Sequence, residues 1–150
     1  MGLMDVIAGD MIYLDTNIII YALEGYPDYV STLKWLFAAI DEGKIKAVTS
    51  ELTLAESLIK PMMDDNTYLQ NIYMEALQPT QGLSVVPINR GILIAAARLR
   101  AKSETLNLPD AIHLATAQVH RCTTFLTNDK RLRSLPEFHI VVLSETEAQE

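Results

Sequence analysis

Four carboxylates stand out by where they fall in the chain. Asp15 directly follows the apolar run at residues 11–14, and Asp129 comes two residues after a second run that ends at Thr127. Asp110 lies just behind Pro109 in what reads as the first turn of a helix, and Glu56 sits within an amphipathic stretch. Ionised carboxylates only accept hydrogen bonds, so several gathered at one place repel, raise one another's pKa and weaken the fold. A hard divalent cation with oxygen ligands is the natural compensation, and magnesium binds through few carboxylates while keeping part of its water shell.

Taken singly, each of the four has an ordinary structural role. Asp15 is placed to cap the following helix or to favour its dipole by about 0.3–1 kcal/mol, and Asp110 is placed for the same dipole role. Asp129, beside Asn128, can open a short helix, and Glu56 can turn its head to water. Helical spacing bears on Glu56. Leu52, Ala55, Ile59 and Met63 form an apolar stripe, and Glu56 falls four residues after Leu52 and three before Ile59. That puts it at the edge of the expected buried face, where carboxylates are rare unless paired or bound to metal.

The other polar candidates carry less. His113 comes three residues after Asp110, so the two can share a helix face and a hydrogen bond, with a packing or supporting role preferred to an acid–base one. His113, His120 and His139 have no tight ligand spacing with cysteine, which leaves a structural zinc site unsupported. Cys122 heads an apolar run and reads as a small core residue. Lys130, Arg131 and Arg133 follow Asp129 at once; they can grip phosphates or simply form a solvated helix end. For Arg98, Arg100 and Lys102 the solvated face is preferred.

The elements that must position these residues alternate. Residues 11–15, 44–49, 83–88, 122–127 and 139–143 read as strands. Helices are expected over 17–24, 27–41 (opened by Pro27), 50–63 (capped by Ser50, kinked or stopped at Pro61), 66–78, 90–104 and 109–121, with a short one over 129–135. Residues 1–10 form an N-terminal extension, and the tail from 144 to 150 should fray. Strands separated by helices imply right-handed crossovers and an α/β fold, a parallel sheet covered on both faces in a single domain. Such sheets bind ligands outside the carboxyl ends of their strands, which brings Asp15 and Asp129 to one rim.

Composition sets the outer bounds. At 150 residues, 49% hydrophobic and 21% charged, the chain suits one globular domain and excludes a disordered one. No apolar run approaches a bilayer span, the first ten residues lack a basic start, and one cysteine cannot build a disulfide framework, so a cytoplasmic protein is expected. The net charge of −7 argues against a general nucleic-acid coat but not against a nuclease whose acidic site is neutralised by metal.

LDTN at residues 14–17, the glutamate of ELTLAES at 51–57, LPDAIHLATA at 108–117 and TNDKRL at 127–132 resemble, in order, the four acidic motifs of the PIN domain. The likeness runs from about Met11 to Leu143 and is nearest to the VapC-like toxin ribonucleases of prokaryotic toxin–antitoxin pairs. It implies a three-layer α/β/α sandwich and an endoribonuclease leaving a 5′-phosphate and a 3′-hydroxyl. It further implies a magnesium (or manganese) site with Asp15, Asp110 and Asp129 as ligands and Glu56 acting directly or through a water. Asn17 would hold a carboxylate in place and Thr127 would line the site. Phosphodiester hydrolysis by a metal-activated water requires no histidine or serine nucleophile, and Glu56 is the candidate to orient or deprotonate that water. Expected partners are RNA, a small antitoxin protein and a second copy of the chain, with no membrane. Departures from the family pattern are the ten residues before the first strand and the acidic balance.

Two other readings compete. An aspartate-nucleophile phosphatase of the haloacid dehalogenase type would place a second aspartate two residues after the first, where this chain has Asn17. A non-catalytic PIN-like binding module would usually have lost an acidic residue, and here all four are present.

Overall fold

In the computed structural model the described residues are 1–80 and 82–147. The chain runs through α1 (Leu3–Val6), β1 (Met11–Leu14), α2 (Thr16–Glu24), α3 (Val30–Asp41), β2 (Lys46–Ser50), α4 (Glu51–Met63) and α5 (Thr67–Ala76). It continues through β3 (Leu83–Val86), α6 (Arg90–Lys102), α7 (Leu108–Val119), β4 (Thr124–Thr127), a 3₁₀ turn (Lys130–Leu132), β5 (Ile140–Val142) and a last 3₁₀ turn (Leu143–Glu145).

The five strands form one parallel sheet in the order β3-β2-β1-β4-β5. Alternation along each strand splits the core into two layers, as a pleat requires. Ile12, Leu14, Ala47, Leu83, Val85, Leu126 and Val141 pack against α2, α3 and α5 through Ile18, Ile19, Leu33, Leu36, Ile40 and Tyr73. Tyr13, Val48 and Phe125 point the other way, with Leu106, Leu114 and Ala117. Beyond them Ile92 and Ala96 of α6 meet Ala111, Ile112 and Ala115 of α7. The result is the expected three-layer α/β/α sandwich. Small side chains let α7 lie close under the sheet, and all its residues from 111 to 117 are buried.

Strand order fixes where chemistry can sit. From β1 the chain steps outward to β2 and β3, then returns to place β4 on the other side of β1. The crevice at the carboxyl ends of β1 and β4 is therefore the switch point of the sheet. Asp15 extends the ladder there, its N–H donating to the Leu126 carbonyl at 3.0 Å.

Several expectations are corrected. α3 starts at Val30 instead of Pro27, because residues 26–29 turn first: Tyr29 N–H donates to the Tyr26 carbonyl at 3.0 Å. Pro61 neither stops nor ends α4, which runs on to Met63; it lies in the last turn, is buried, and its carbonyl accepts from Asn66 N–H at 2.8 Å. The buried row of α4 is Thr53, Ser57 and Pro61, while Ala55 is exposed and Ile59 and Met63 are 58% and 78% exposed. The helix meets the strand ends through small residues: the hydroxyls of Thr49 and Thr53 lie 2.8 Å apart, while among the described residues the buried Ser57 hydroxyl has no hydrogen-bond partner.

Within the N-terminal extension, residues 1–10, Leu3–Val6 form α1 and Leu3 is completely buried. Residues 144–147, expected to fray, carry a 3₁₀ turn and a parallel bridge between Gly2 and Glu147; the rest of that tail, 148–150, lies outside the described residues. Among the described residues no helix is long and apolar enough to cross a membrane.

The corrected burial pattern has a direct test. Leu126→Ala empties a fully buried site at the sheet's centre and should cost about 2–5 kcal/mol in urea denaturation. Met63→Ala should change stability by less than about 0.5 kcal/mol. The original stripe predicts comparable losses for both.

Candidate active site at the sheet's switch point

Each acidic residue is held by the element that carries it. Asp15 ends β1, caps α2 and is only 9% exposed. Its Oδ1 accepts the Thr16 N–H at 2.9 Å and its Oδ2 accepts the Thr127 hydroxyl at 2.6 Å. Thr127 Oγ1 in turn accepts the Asp129 N–H at 3.1 Å, so one buried threonine ties the ends of β1 and β4 together.

Asp110 and Asn107 cap α7 reciprocally: Asn107 Oδ1 accepts the Asp110 N–H at 2.8 Å, and Asp110 Oδ2 accepts the Asn107 N–H at 3.4 Å. Asp129 opens the 3₁₀ turn, its Oδ1 accepting the Arg131 N–H at 3.0 Å. The capping roles read from sequence are thus real for all three aspartates, and they coexist with a shared location. Asp15, Glu56, Asp110, Asp129 and His113 all line one open cleft of about 340 Å³.

Glu56 is half-buried and anchored by one oxygen. Its Oε1 accepts from the Thr16 hydroxyl at 2.7 Å and from His113 Nε2 at 2.6 Å. His113 does not bond Asp110 as its spacing suggested; its second nitrogen, Nδ1, meets the Tyr13 hydroxyl at 2.7 Å. Burial pushes the Glu56 carboxyl up, but the hydrogen bonds from His113 and Thr16, with the electrostatic attraction of His113, outweigh it and hold the group below its ordinary value.

Arg131 is the unexpected member. Its Nε lies 3.0 and 3.1 Å from the two oxygens of Asp129, and its Nη2 reaches both Asp129 and Asp110, the latter at 3.1 Å. Its hydrogen bonds hold the Asp129 carboxyl below the usual range, against a smaller upward push from partial burial. Asp110 moves the other way: burial raises it, with the charges of Asp15 and Asp129 pushing in the same direction. The carboxylates were expected to stand uncompensated without a metal. Arg131 supplies an internal counter-charge across two of them.

The site suits a divalent cation in the kind of donor it offers. Its four carboxylates offer hard oxygen donors around one cleft, and Asp110 feels the charges of Asp15 and Asp129. Among the described residues no three acidic, histidine or cysteine side chains are grouped so that they could hold a metal ion as they stand, and Arg131 lies across two of the donors. Loading would require that guanidinium to swing aside.

The remaining candidates divide. Asn17 borders the cleft but is exposed, and among the described residues its side chain holds no carboxylate; Thr16 and Thr127 do that work. Arg131 is engaged by aspartates and Arg133 pairs with Glu145, while Lys130 is exposed and, among the described residues, unpaired. Lys60, not singled out in the sequence, lines the cleft and makes a surface pair with Asp64 at 3.2 Å. A more apolar groove between α2, α3 and α5 offers Lys34 as its one titratable side chain and cannot supply comparable chemistry.

Comparisons with known proteins agree with this fold. The PIN domain family matches residues 12–137. No curated protein is significantly similar in sequence. A toxin–antitoxin complex from Klebsiella pneumoniae is 26% identical, with a TM-score of 0.65 over 88% of this chain and 97% of that one. VapBC2 from Rickettsia felis, bound to a DNA fragment from its promoter, is 18% identical with a TM-score of 0.69, covering 88% and 98%. The sarcin–ricin loop cleaving toxin VapC20 of Mycobacterium tuberculosis is 15% identical with a TM-score of 0.63, covering 76% and 86%.

If Arg131 and a divalent cation compete for Asp110 and Asp129, millimolar magnesium should raise the melting temperature of Arg131→Ala more than that of the parent. On its own the substitution should cost at most about 1 kcal/mol near neutral pH, as exposed pairs do. Because the Asp129 value is depressed, its contribution is present above the ordinary carboxylate pKa and fades as pH falls through the folded value, so the two proteins should converge in acid. Identical magnesium shifts in both would dissociate Arg131 from metal binding.

Proposed function

The chain belongs to the PIN domain family, and from that premise we propose that it is a divalent-metal-dependent endoribonuclease acting as the toxin of a toxin–antitoxin pair. One observation carries the reading: carboxylates from four separate parts of the chain line a single cleft at the switch point of the sheet. Asp15, Asp110 and Asp129 would hold magnesium or manganese, with Glu56 joining directly or through a water. A bound cation would supply a water of lowered pKa and neutralise charge on the phosphate.

The chain's own residues do the rest. Glu56, kept ionised by His113 and Thr16, accepts the proton or hydrogen bond of the attacking water. Thr127 fixes Asp15 and the Asp129 backbone in mutual register. Lys60 and Lys130, near the cleft, meet substrate phosphates, and Arg131 joins them once released from the aspartates. Cleavage on this scheme leaves a 5′-phosphate and a 3′-hydroxyl.

Three similar solved proteins are toxins or toxin–antitoxin complexes, one of them cutting RNA at the sarcin–ricin loop. Being such complexes, they support restraint by a small antitoxin protein, and the proposal adds a homodimer in the cytoplasm. A basic antitoxin side chain reaching the carboxylates would act as Arg131 already does, replacing the metal's charge. Arg131 also favours one alternative, a non-catalytic binding module whose acidic site is closed by its own arginine.

The deciding experiment is RNA cleavage with magnesium or with EDTA. Asp15→Asn, Glu56→Gln, Asp110→Asn and Asp129→Asn should each reduce cleavage by about 10²-fold or more, the size of a lost acid–base or electrostatic contribution. Combined, they should fall far short of additivity. Lys60→Ala and Lys130→Ala should raise KM and flatten the salt dependence, leaving kcat near the parent's. If Glu56→Gln and Asp129→Asn cut as fast as the parent, the four-carboxylate site is wrong, and a parent that does not cut RNA leaves the binding-module reading instead.

A further inference from the structure

A buried line of polar contacts runs inward from the cleft behind the Glu56 carboxylate and takes no part in capping. It starts at Glu56 Oε1, passes through His113 Nε2 at 2.6 Å and leaves from His113 Nδ1 to the Tyr13 hydroxyl at 2.7 Å. The Tyr13 hydroxyl also lies 3.0 Å from Ser50 Oγ. Tyr13 is fully buried at the centre of the sheet and His113 is 2% exposed on α7. Tyr13 stacks on Phe125 with ring centres 5.2 Å apart, and its ring meets His113 edge-on at 5.7 Å. Packing therefore fixes both rings.

Chemistry fixes the direction of the line. An ionised carboxylate has no hydrogen to give, so the hydrogen between Glu56 and His113 must reside on Nε2. Tyr13, as a hydroxyl, completes Nδ1. A flip of the imidazole would put carbon where both nitrogens now stand and lose both contacts at once. The Thr16 hydroxyl reaches the same Glu56 oxygen at 2.7 Å and lies 3.1 Å from Nε2. Oε1 is thus doubly occupied, while among the described residues Oε2 has no protein partner.

An apolar side chain would pack α7 under the sheet without the cost of burying an imidazole. The histidine is accounted for by what it does to Glu56, a residue of a different helix that borders the cleft.

We propose that Tyr13 and His113 are positioning residues for the cleft: they lock Glu56 through Oε1 in a single orientation and so reserve Oε2 for the reacting water. The catalytic half of this statement rests on the ribonuclease reading; the lock itself does not.

The experiment therefore has two arms. Imidazole ¹⁵N–¹H correlation spectra should show a His113 Nε2 hydrogen shifted downfield and protected from exchange, assigned by its loss in His113→Leu. Tyr13→Phe and Glu56→Gln should each speed its exchange at least about tenfold. In the kinetic arm His113→Leu should lower kcat for RNA by about 10²-fold at unchanged KM and unreduced melting temperature. His113→Gln, which restores an N–H near the Nε2 position, should recover at least about tenfold of that loss, and Tyr13→Phe should lower kcat several-fold. A His113 whose Nε2 lacks hydrogen, or exchanges as fast as a surface histidine's, overturns the lock. His113→Leu cutting as fast as the parent, or failing only in proportion to lost folded protein, overturns the positioning role. A parent with no ribonuclease activity sinks the proposed function alone, since the spectra still decide the lock.

Discussion

Four like charges at one end of a sheet must each be answered by something nearby, and much of the local architecture follows from how they are answered. Asp15 takes the Thr16 amide and the Thr127 hydroxyl. Asp110 takes the Asn107 amide, Asp129 takes Arg131, and Glu56 takes Thr16 and His113. These donors come from the start of α2, the end of β4, the start of α7 and the 3₁₀ turn. The repulsion is thus spread over separate structural elements, each offering N–H or O–H groups at a place where the backbone already leaves donors free. Thr16 and Thr127 matter most, because each ties one part of the rim to another.

The same arrangement couples folding to chemistry. Asp15, Asp110 and Asp129 are helix or turn caps as well as cleft carboxylates. An amide in place of a carboxylate keeps most of a cap's geometry and loses the charge, so folding and chemistry at these positions respond to different properties of one side chain. Glu56 is the exception. It caps nothing, and its orientation depends wholly on neighbours from other elements.

Much of this was legible in the sequence. Apolar runs followed by an aspartate gave the ends of β1 and β4, and the alternation of strands and helices placed both at one rim. Glu56 was placed at a buried edge for a faulty reason: of the stripe, Leu52 is partly buried against α6 and α7 but Ala55, Ile59 and Met63 face out, and the inward row is Thr53, Ser57 and Pro61. Hydrophobic periodicity assumes that large apolar residues mark the buried face, and it fails where a helix docks on strand ends through small hydroxyl residues. Tyr13 read as a core strand residue, which it is; nothing in its spacing said that its hydroxyl would meet a histidine 100 residues away. Arg131 belonged to an obvious basic cluster, but its fold back onto Asp110, 21 residues earlier, is a tertiary fact. Leu3 was missed because a four-residue helix carries too little pattern to detect.

The uninterrupted burial of α7 from residue 111 to 117 has a further consequence, one of time. Amides of such a helix open only with large parts of the molecule, on the slow end of the scale, whereas an arginine side chain that is 53% exposed changes rotamer within nanoseconds. Asp110 and His113 therefore ride on a floor that is effectively static during any encounter with a ligand. The guanidinium above them is free to change rotamer many times between such openings. Exchange of one cation for another at this rim is a side-chain event, fast and local, for which the backbone need not wait.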